Sequence, residues 1–351
     1  MKKLRIVSCI VLLAAFMLSA CSGGGPSSSP AGAASSSAPE FKYSFKLTTP
    51  LGQTHLSVEY WTKLFADLEA KTGGRLNGRV YPTSQLANGN MMTAVDMIQK
   101  GTIDLGAFGS PLLSGYVAEM RLPTTPFLFD SSEQVDRVLN SKEVMDYFRR
   151  RCAASNFYFL GWMENSWNEI SNSKRELVHP QDMRGLKMRV AANDLVSEAF
   201  VAAGASVVDM SLSELYTALQ QGVVDGEENG VSGAFYANKL YEVQKYLLYC
   251  QYSYNAFSCV MNKTLWDSIP AGDQALITQL FDIYGPGQVQ ANRDSMEKNL
   301  KFVEDYGVVV HRMTPAEREE WKTVMGPDSA TIANLLKTYD QEFVNILLNA
   351  R

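Results

Sequence analysis

Residues 180–230 read PQDMRGLKMRVAANDLVSEAFVAAGASVVDMSLSELYTALQQGVVDGEENG. Leu186, Met188 and Val190 alternate with Lys187 and Arg189, the period of a half-buried strand. Asn193 or Asp194 can cap the helix that follows, and Gly204 can end it. Val207 and Val208 make a second short strand. Ser211-x-x-Glu214 then has the form of a capping box for a helix over 212–221, with Gly222 as its stop. Val223 and Val224 predict a third strand, which runs into the polar turn 225–230. Short strands alternating with short helices predict a parallel sheet. Arg189 lies near the carboxyl end of its strand and Asn229 just past the end of another, the edge at which open α/β sheets bind ligands.

The ordered series GLKMRV, GAS, SELYTALQQG and VVDGEEN resembles the DctP-type solute-binding proteins of tripartite ATP-independent periplasmic (TRAP) transporters. The resemblance extends over most of residues 41–351 and weakens towards the C-terminus. It implies an α/β, two-domain, periplasmic-binding-protein-like fold with a ligand cleft between the domains, crossing strands and a long domain-spanning helix. The implied division places 41–166 with about 255–294 in one domain, and 167–254 with about 295–351 in the other. The implied function is capture of a small organic acid and delivery to a TRAP-type membrane permease by ligand-stabilised closure of the cleft.

The resemblance also assigns roles to residues. Arg189 stands where the family places its main carboxylate ligand, and a planar guanidinium can make two parallel charge-assisted hydrogen bonds to one carboxylate. Asn229 matches the cleft asparagine. Gly109 and Ser110, after a strand through Ile103, Leu105 and Ala107, fall at the pocket edge, and His55 falls near the cleft at the start of the first helix. Leu212 occupies a wall position. Trp167, and less so Trp162, lie on the first crossing between domains, and Tyr252 or Phe257 on the second. Glu169, or Asn168 with a one-residue slip, stands where many relatives carry a second arginine. A glutamate there would repel a second ligand carboxylate. It could instead hold an ammonium or hydroxyls, pair with Arg189, or pair at the surface with Lys174 or Arg175. This favours a monocarboxylate, sugar acid or zwitterion over a dicarboxylate. Glu228 and Gly230 replace a common glutamine and proline.

Around this body the chain carries other signals. Lys2, Lys3 and Arg5 precede an apolar run at 6–16, as in an export signal over 1–20, and Leu18-Ser19-Ala20-Cys21 has the form of a lipobox. Cleavage before Cys21 and lipidation of that residue would anchor the protein to a membrane, on its extracytoplasmic side. Residues 22–40 are Ser, Gly, Ala and Pro up to a final Glu40, a flexible tether with a reach of about 25 Å. The remaining body of about 310 residues exceeds the usual size of a single core. With a formal net charge of −5, made more acidic by loss of the leader, the chain is not expected to bind nucleic acid.

Cys152, Cys250 and Cys259 form no disulfide framework and are expected as buried thiols, with Cys250–Cys259 the one conceivable pair. Further along, 271–284 and 289–306 read as helices broken or kinked at Gly285-Pro286-Gly287. No P-loop, dinucleotide fingerprint, nucleophile elbow or zincin motif occurs, and His55, His179 and His311 lack metal spacing. Neither enzyme activity nor a cofactor or metal is expected, and a monomer is. Two rival functions are a same-fold binding protein for a chemosensory or other uptake system and, more remotely, an enzyme on a two-domain scaffold.

Overall fold

The computed structural model describes residues 40–191 and 193–350. The expectations for the export signal, Cys21 and most of the tether lie outside the described residues. Strands β1 (Tyr43–Thr48), β2 (Leu76–Tyr81), β3 (Leu105–Gly109), β4 (Phe157–Asn172), β5 (Lys187–Val190), β6 (Ser206–Asp209), β7 (Gly226–Asn229), β8 (Tyr246–Asn262) and β9 (Val309–Arg312) form one sheet. Its order is β2-β1-β3-β8-β4-β7-β5-β6, with β9 on β8. The β1–β2, β1–β3, β5–β6 and β5–β7 pairs are parallel, as alternating strands and helices require.

Two long antiparallel strands, β4 and β8, join the two parallel halves and pair along almost their whole length. Helices α1 (Leu56–Lys71) and α2 (Met91–Gln99) follow β1 and β2. The segment before β4 holds two helices, α3 (Ser132–Leu139) and α4 (Lys142–Ala154). Ser141 breaks the run by capping α4, its hydroxyl accepting from Val144 N–H. In the second half α5 (Asp194–Ala202) and α6 (Leu212–Gln220) connect β5, β6 and β7, and α7 (Lys263–Ser268) follows β8.

Three expectations are corrected. The third strand of the 180–230 stretch is Gly226–Asn229, not Val223–Val224. Val224 is buried in an apolar cluster with Leu215 and Leu219, and the polar residues after it pair with β4. Ser211 does cap α6 in position, but its hydroxyl bonds the Glu214 carboxylate at 2.6 Å instead of a backbone N–H. The Gly285-Pro286-Gly287 run does not interrupt the helix, and α8 spans Ala271–Tyr306, 36 residues.

Proline at 286 removes one N–H bond to Asp282. The helix continues because tertiary contacts hold both sides of it. Gly285 lies 3.6 Å, measured from a Cβ position, from the Trp162 carbonyl, and Gly287 lies 3.0 Å from the Tyr60 ring on α1. One turn on, Gln288 brackets the Glu164 backbone, accepting from its N–H at 2.9 Å and donating to its carbonyl at 2.8 Å. Helices α9 (Pro315–Met325), α10 (Ala330–Leu336) and α11 (Gln341–Asn349) close the chain. Cys152, Cys250 and Cys259 are free and buried. Cys250 and Cys259 share strand β8, roughly 30 Å apart at about 3.3 Å per residue, so they cannot pair.

Candidate functional site

Arg189 is 4% exposed and sits on β5 opposite Val208 of β6 and Glu227 of β7. Its Nε donates to the Met210 carbonyl at 2.9 Å, and this is the only hydrogen bond its guanidinium makes to the described residues. The terminal nitrogens form no ion pair with any described carboxylate. A guanidinium carries five donors, so four remain. Burying such a group is costly unless something pairs with it, and its position at the carboxyl end of a parallel strand is where ligands bind in this architecture.

Two glutamates flank it on β7. Glu227 accepts from Ser171 Oγ at 2.6 Å and from Asn229 Nδ2. Burial pushes its carboxyl up to about 7, against the pull of those donors and of Arg189. Glu228 accepts from Asn168 Nδ2, from Tyr252 Oη at 3.0 Å and from the Ala191 N–H. Burial raises its carboxyl too, while Arg189 lowers it. Both acids are thus within the field of Arg189 without direct ion pairing to it. Gly230 permits this crowding, since a Cβ there would lie 2.1 Å from the Ser166 side chain and 2.3 Å from the Trp167 carbonyl.

The two acids lie on opposite faces of β7: Asn229 bonds Glu227, the strand partner of Arg189, and Tyr252, fully buried, bonds Glu228. Leu212 opens α6 two residues beyond Met210, whose carbonyl holds Arg189.

Glu169 goes elsewhere. Alternate residues of a strand face opposite sides, and here Asn168 faces Glu228 while Glu169 faces β8. Between Asn168↔Ser253 and Ile170↔Leu248, β4 advances two residues and β8 five. The surplus in β8 frees the N–H groups of Cys250 and Gln251, with Gln251 at φ 46°, and Glu169 Oε2 accepts from both, at 2.6 and 2.8 Å. Its carboxylate is therefore a substitute for missing ladder bonds. It is not paired with Arg189, Lys174 or Arg175. Arg318 of α9 clamps the same bulge from outside, donating to the Cys250 carbonyl at 2.7 Å and the Phe129 carbonyl at 2.8 Å. Burial pushes the Glu169 carboxyl up to about 7 despite the two N–H bonds, and Oε1 has no hydrogen-bond partner among the described residues.

This gives a test by pH. A raised folded-state value means the native state holds a proton that the unfolded chain releases near 4.5, so the Glu169 contribution to stability is full below that pH and is lost as pH rises to about 7. Glu169→Gln removes that titration. Its melting temperature relative to wild type is expected to climb between pH 4.5 and 7.5, by the equivalent of up to about 3 kcal/mol. A difference that stays flat across that range would refute the assignment.

Trp167 and Trp162 pack inward. Trp167 Nε1 donates to Ser132 Oγ at 3.0 Å and its ring meets Tyr254 edge-on, whereas Trp162 Nε1 donates to the Leu139 carbonyl at 3.1 Å. His55, Gly109, Ser110 and Phe257 gather at the β3 side of the sheet. His55 caps α1, its Nδ1 accepting from Ser57 N–H at 3.1 Å, and burial lowers it to about 4, so the ring is neutral. Its ring lies 6.4 Å from that of Phe257, which pairs with Gly109. A Cβ on Gly109 would lie 3.3 Å from Asn255 Oδ1.

Sequence reasoning missed Asn255, gave Asn168 only as a slipped alternative, and offered Asn193 only as a helix cap, whereas it stands at the cap position with its side chain bonded to Thr124 instead. The alternation of Ser166 and Asn168 against Trp167 and Glu169 is the signal that distinguishes the two faces. Among the described residues no cluster of His, Cys, Asp and Glu is arranged to hold a metal.

Arg189 is thus a buried cation near the carboxyl end of β5, in a sheet of two halves joined by long crossing strands. The sequence model of the DctP family, bacterial extracellular solute-binding protein family 7, matches residues 48–334, and the chain belongs to that family. It is 30% identical over 275 residues to the C4-dicarboxylate-binding periplasmic protein DctP of Rhodobacter capsulatus, covering 75% of this chain and 78% of that protein. It is 27% identical over 314 residues to the 2,3-diketo-L-gulonate-binding periplasmic protein YiaO of Escherichia coli K12, covering 87% and 92%. A TRAP periplasmic solute binding protein from Ralstonia eutropha H16, with bound (S)-2-acetolactate, superposes with a TM-score of 0.80 at 28% identity, covering 88% of this chain and 98% of that one. Family and neighbours are binding proteins rather than enzymes. No helix among the described residues is long and apolar enough to cross a membrane.

Proposed function

We propose that this protein captures a small organic acid outside the cytoplasm, with Arg189 as its carboxylate anchor, and hands it to a TRAP-type permease. The observation that carries the reading is the buried guanidinium with a single hydrogen bond among the described residues, from Nε to Met210. The relatives support it, since diketogulonate, acetolactate and C4-dicarboxylates all carry a carboxylate.

The mechanism is population shift. Residues 41–166 with about 255–294 act as one lobe, and 167–254 with about 295–351 as the other, moving about β4 and β8 with α8 as a strut. An acid that contacts both lobes binds the closed state more tightly and stabilises it by that difference. The permease reads the closed state. No covalent step is involved, so an acid dialysed to equilibrium against the protein returns with its mass and stereochemistry unaltered. Conversion of the acid by purified protein would overturn the binding reading.

Cys21 is the proposed lipid anchor, with 22–40 as tether. Several acyl chains hold a protein stably on a membrane. In cell fractionation Cys21→Ala is expected to move the protein from the membrane to the soluble extracytoplasmic fraction. Equal membrane retention of the variant would remove the anchor from the account.

A further inference from the structure

Ser171 of β4 has one hydroxyl proton and two acceptors within its reach. Its Oγ lies 2.6 Å from Glu227 Oε1 and 3.1 Å from Gln244 Oε1. All three side chains are buried. The Gln244 amide nitrogen donates to the Val243 carbonyl at 3.0 Å, which turns Oε1 to the serine, and Ser171 is the one donor to that oxygen among the described residues. With Glu227 ionised, Ser171 donates to the carboxylate, and Gln244 Oε1 is left a buried acceptor without a hydrogen, which is costly. With a proton on Glu227 Oε1, the carboxyl donates to Ser171, Ser171 donates to Gln244, and every member is satisfied. Oε2 keeps its hydrogen bond from Asn229 in either state. The cluster therefore accommodates both protonation states of Glu227.

Arg189 biases the choice between them. It is the cross-strand neighbour of Glu227, on the same face of the sheet, and its charge acts on Glu227 through a low-dielectric interior. On β7, Glu228 adds a negative charge that raises Glu227, while its own donors, Asn168, Tyr252 and the Ala191 N–H, favour its charged form. β4 contributes Ser171 and Glu169, whose carboxylate is turned to the β8 bulge. Lys187 and Asp209 are exposed at the ends of β5 and β6, and Glu242 and Lys245 are exposed beside Gln244. The helices over this face, α6 and α8, bring apolar residues such as Leu215 and Leu300 to it, with Glu214 and Lys301 exposed. Arg189 is thus the buried cation among these groups, and burial already lifts Glu227 to about 7 against its pull. A ligand carboxylate on the terminal guanidinium nitrogens cancels that pull and adds a negative charge of its own. Both effects raise the affinity of Glu227 for a proton.

Resting on the reading of Arg189 as carboxylate anchor, we infer that Glu227 is its proton-coupled partner: when a carboxylate binds Arg189, Glu227 takes up one proton from solvent, its O–H donates to Ser171, and Ser171 turns to Gln244. Affinity for the acid then rises as pH falls, by at most about ten-fold per pH unit for one proton, over the range where bound and free protein differ in protonation. Below that range the dependence vanishes.

One test needs no ligand. Arg189→Gln removes the charge that a bound carboxylate would cancel. Infrared titration follows the carbonyl stretch of the protonated carboxyl, identified as the band absent from Glu227→Gln. If that variant does not fold, Ser171→Ala identifies the band by shifting it. The midpoint is expected to lie about one pH unit or more higher in Arg189→Gln than in wild type. Equal midpoints, or a Glu227 that stays ionised down to pH 5 in both, overturn the inference. Calorimetric titration with acetolactate, diketogulonate and succinate, at pH 6 and pH 8 in buffers of different ionisation enthalpy, reads the coupling itself. An acid that needs Arg189 is expected to bind with uptake of up to one proton at pH 8, less at pH 6, and none in Glu227→Gln. Uptake that persists in Glu227→Gln, or Arg189-dependent binding with no uptake in wild type, overturns the coupling and leaves the anchor standing. Undiminished binding in Arg189→Ala removes the anchor, and the coupling with it.

Discussion

Replacing Arg189 by alanine is expected to weaken binding of the preferred acid by at least about 100-fold while leaving the protein folded. Two hydrogen bonds to a charged group contribute about 1.5–3 kcal/mol each, and 1.4 kcal/mol is a factor of ten. Among the described residues buried Arg189 commits only its Nε, to Met210, so the fold loses one hydrogen bond there and the ligand loses its anchor. Arg189→Lys separates charge from geometry. It keeps the positive charge near Glu227 and Glu228 but cannot present the planar fork, so an intermediate loss is expected. Titration calorimetry on the three proteins reads this directly. Equal affinity for wild type and Arg189→Ala would mean that the carboxylate sits elsewhere.

The second large effect concerns stability. Glu164, 1% exposed on β4, is the point at which α8 is tied to the crossing strands. Its carboxylate accepts from Arg293 Nε at 2.8 Å, Asn292 Nδ2 at 2.9 Å and Tyr254 Oη at 3.1 Å. Arg293 in turn holds Asp136 of α3 through both terminal nitrogens, at 2.7 and 2.8 Å. Burial raises the Glu164 carboxyl and Arg293 is the main group opposing that.

Arg293→Ala therefore leaves a buried carboxylate with its cation gone. Breaking a buried pair from one side costs about 3–5 kcal/mol, a large part of the 5–15 kcal/mol that holds a typical domain. The loss is expected to be larger at pH 8 than at pH 4.5, because without Arg293 the carboxyl takes up a proton as pH falls and no longer buries a charge. Urea unfolding at the two pH values measures both magnitude and slope. A loss below about 1 kcal/mol at pH 8 would show that the pair is not the tie described.

The strand–helix alternation of 180–230 was legible because each element there is short, amphipathic and locally punctuated. Gly204 at φ 94° ends α5 as expected. What local pattern could not provide was partner choice. Val223 and Val224 read as a strand by propensity, but hydrogen bonds to β4 begin only at Gly226. Pro286 reads as a break, yet the grip of Gln288, Asn292 and Arg293 on Glu164 keeps the helix whole. The first outcome is decided by a strand about fifty positions away and the second by a residue more than a hundred positions away.

The candidate site shows the same division. Arg189 was identifiable from its motif and strand end. The choice between Asn168 and Glu169 depended on which face of β4 turns to β7, and that is fixed by a bulge in β8 that no spacing within β4 reveals. Glu228 stood out only as an unusual residue. Its place near Arg189, bonded by Asn168 and Tyr252, needs four strands, β5, β7, β4 and β8, to be assembled.

The most direct test of the central claim is a thermal-shift panel on the soluble body, from about residue 40, run in parallel on wild type and Arg189→Ala. The panel holds monocarboxylates, sugar acids, dicarboxylates, amino acids, betaines, neutral sugars and nucleosides. A ligand that binds only the native state raises the melting temperature. The account predicts that a carboxylic acid raises it in wild type and leaves Arg189→Ala unmoved. Stabilisation by neutral compounds alone, or by the same acid equally in both proteins, would contradict it.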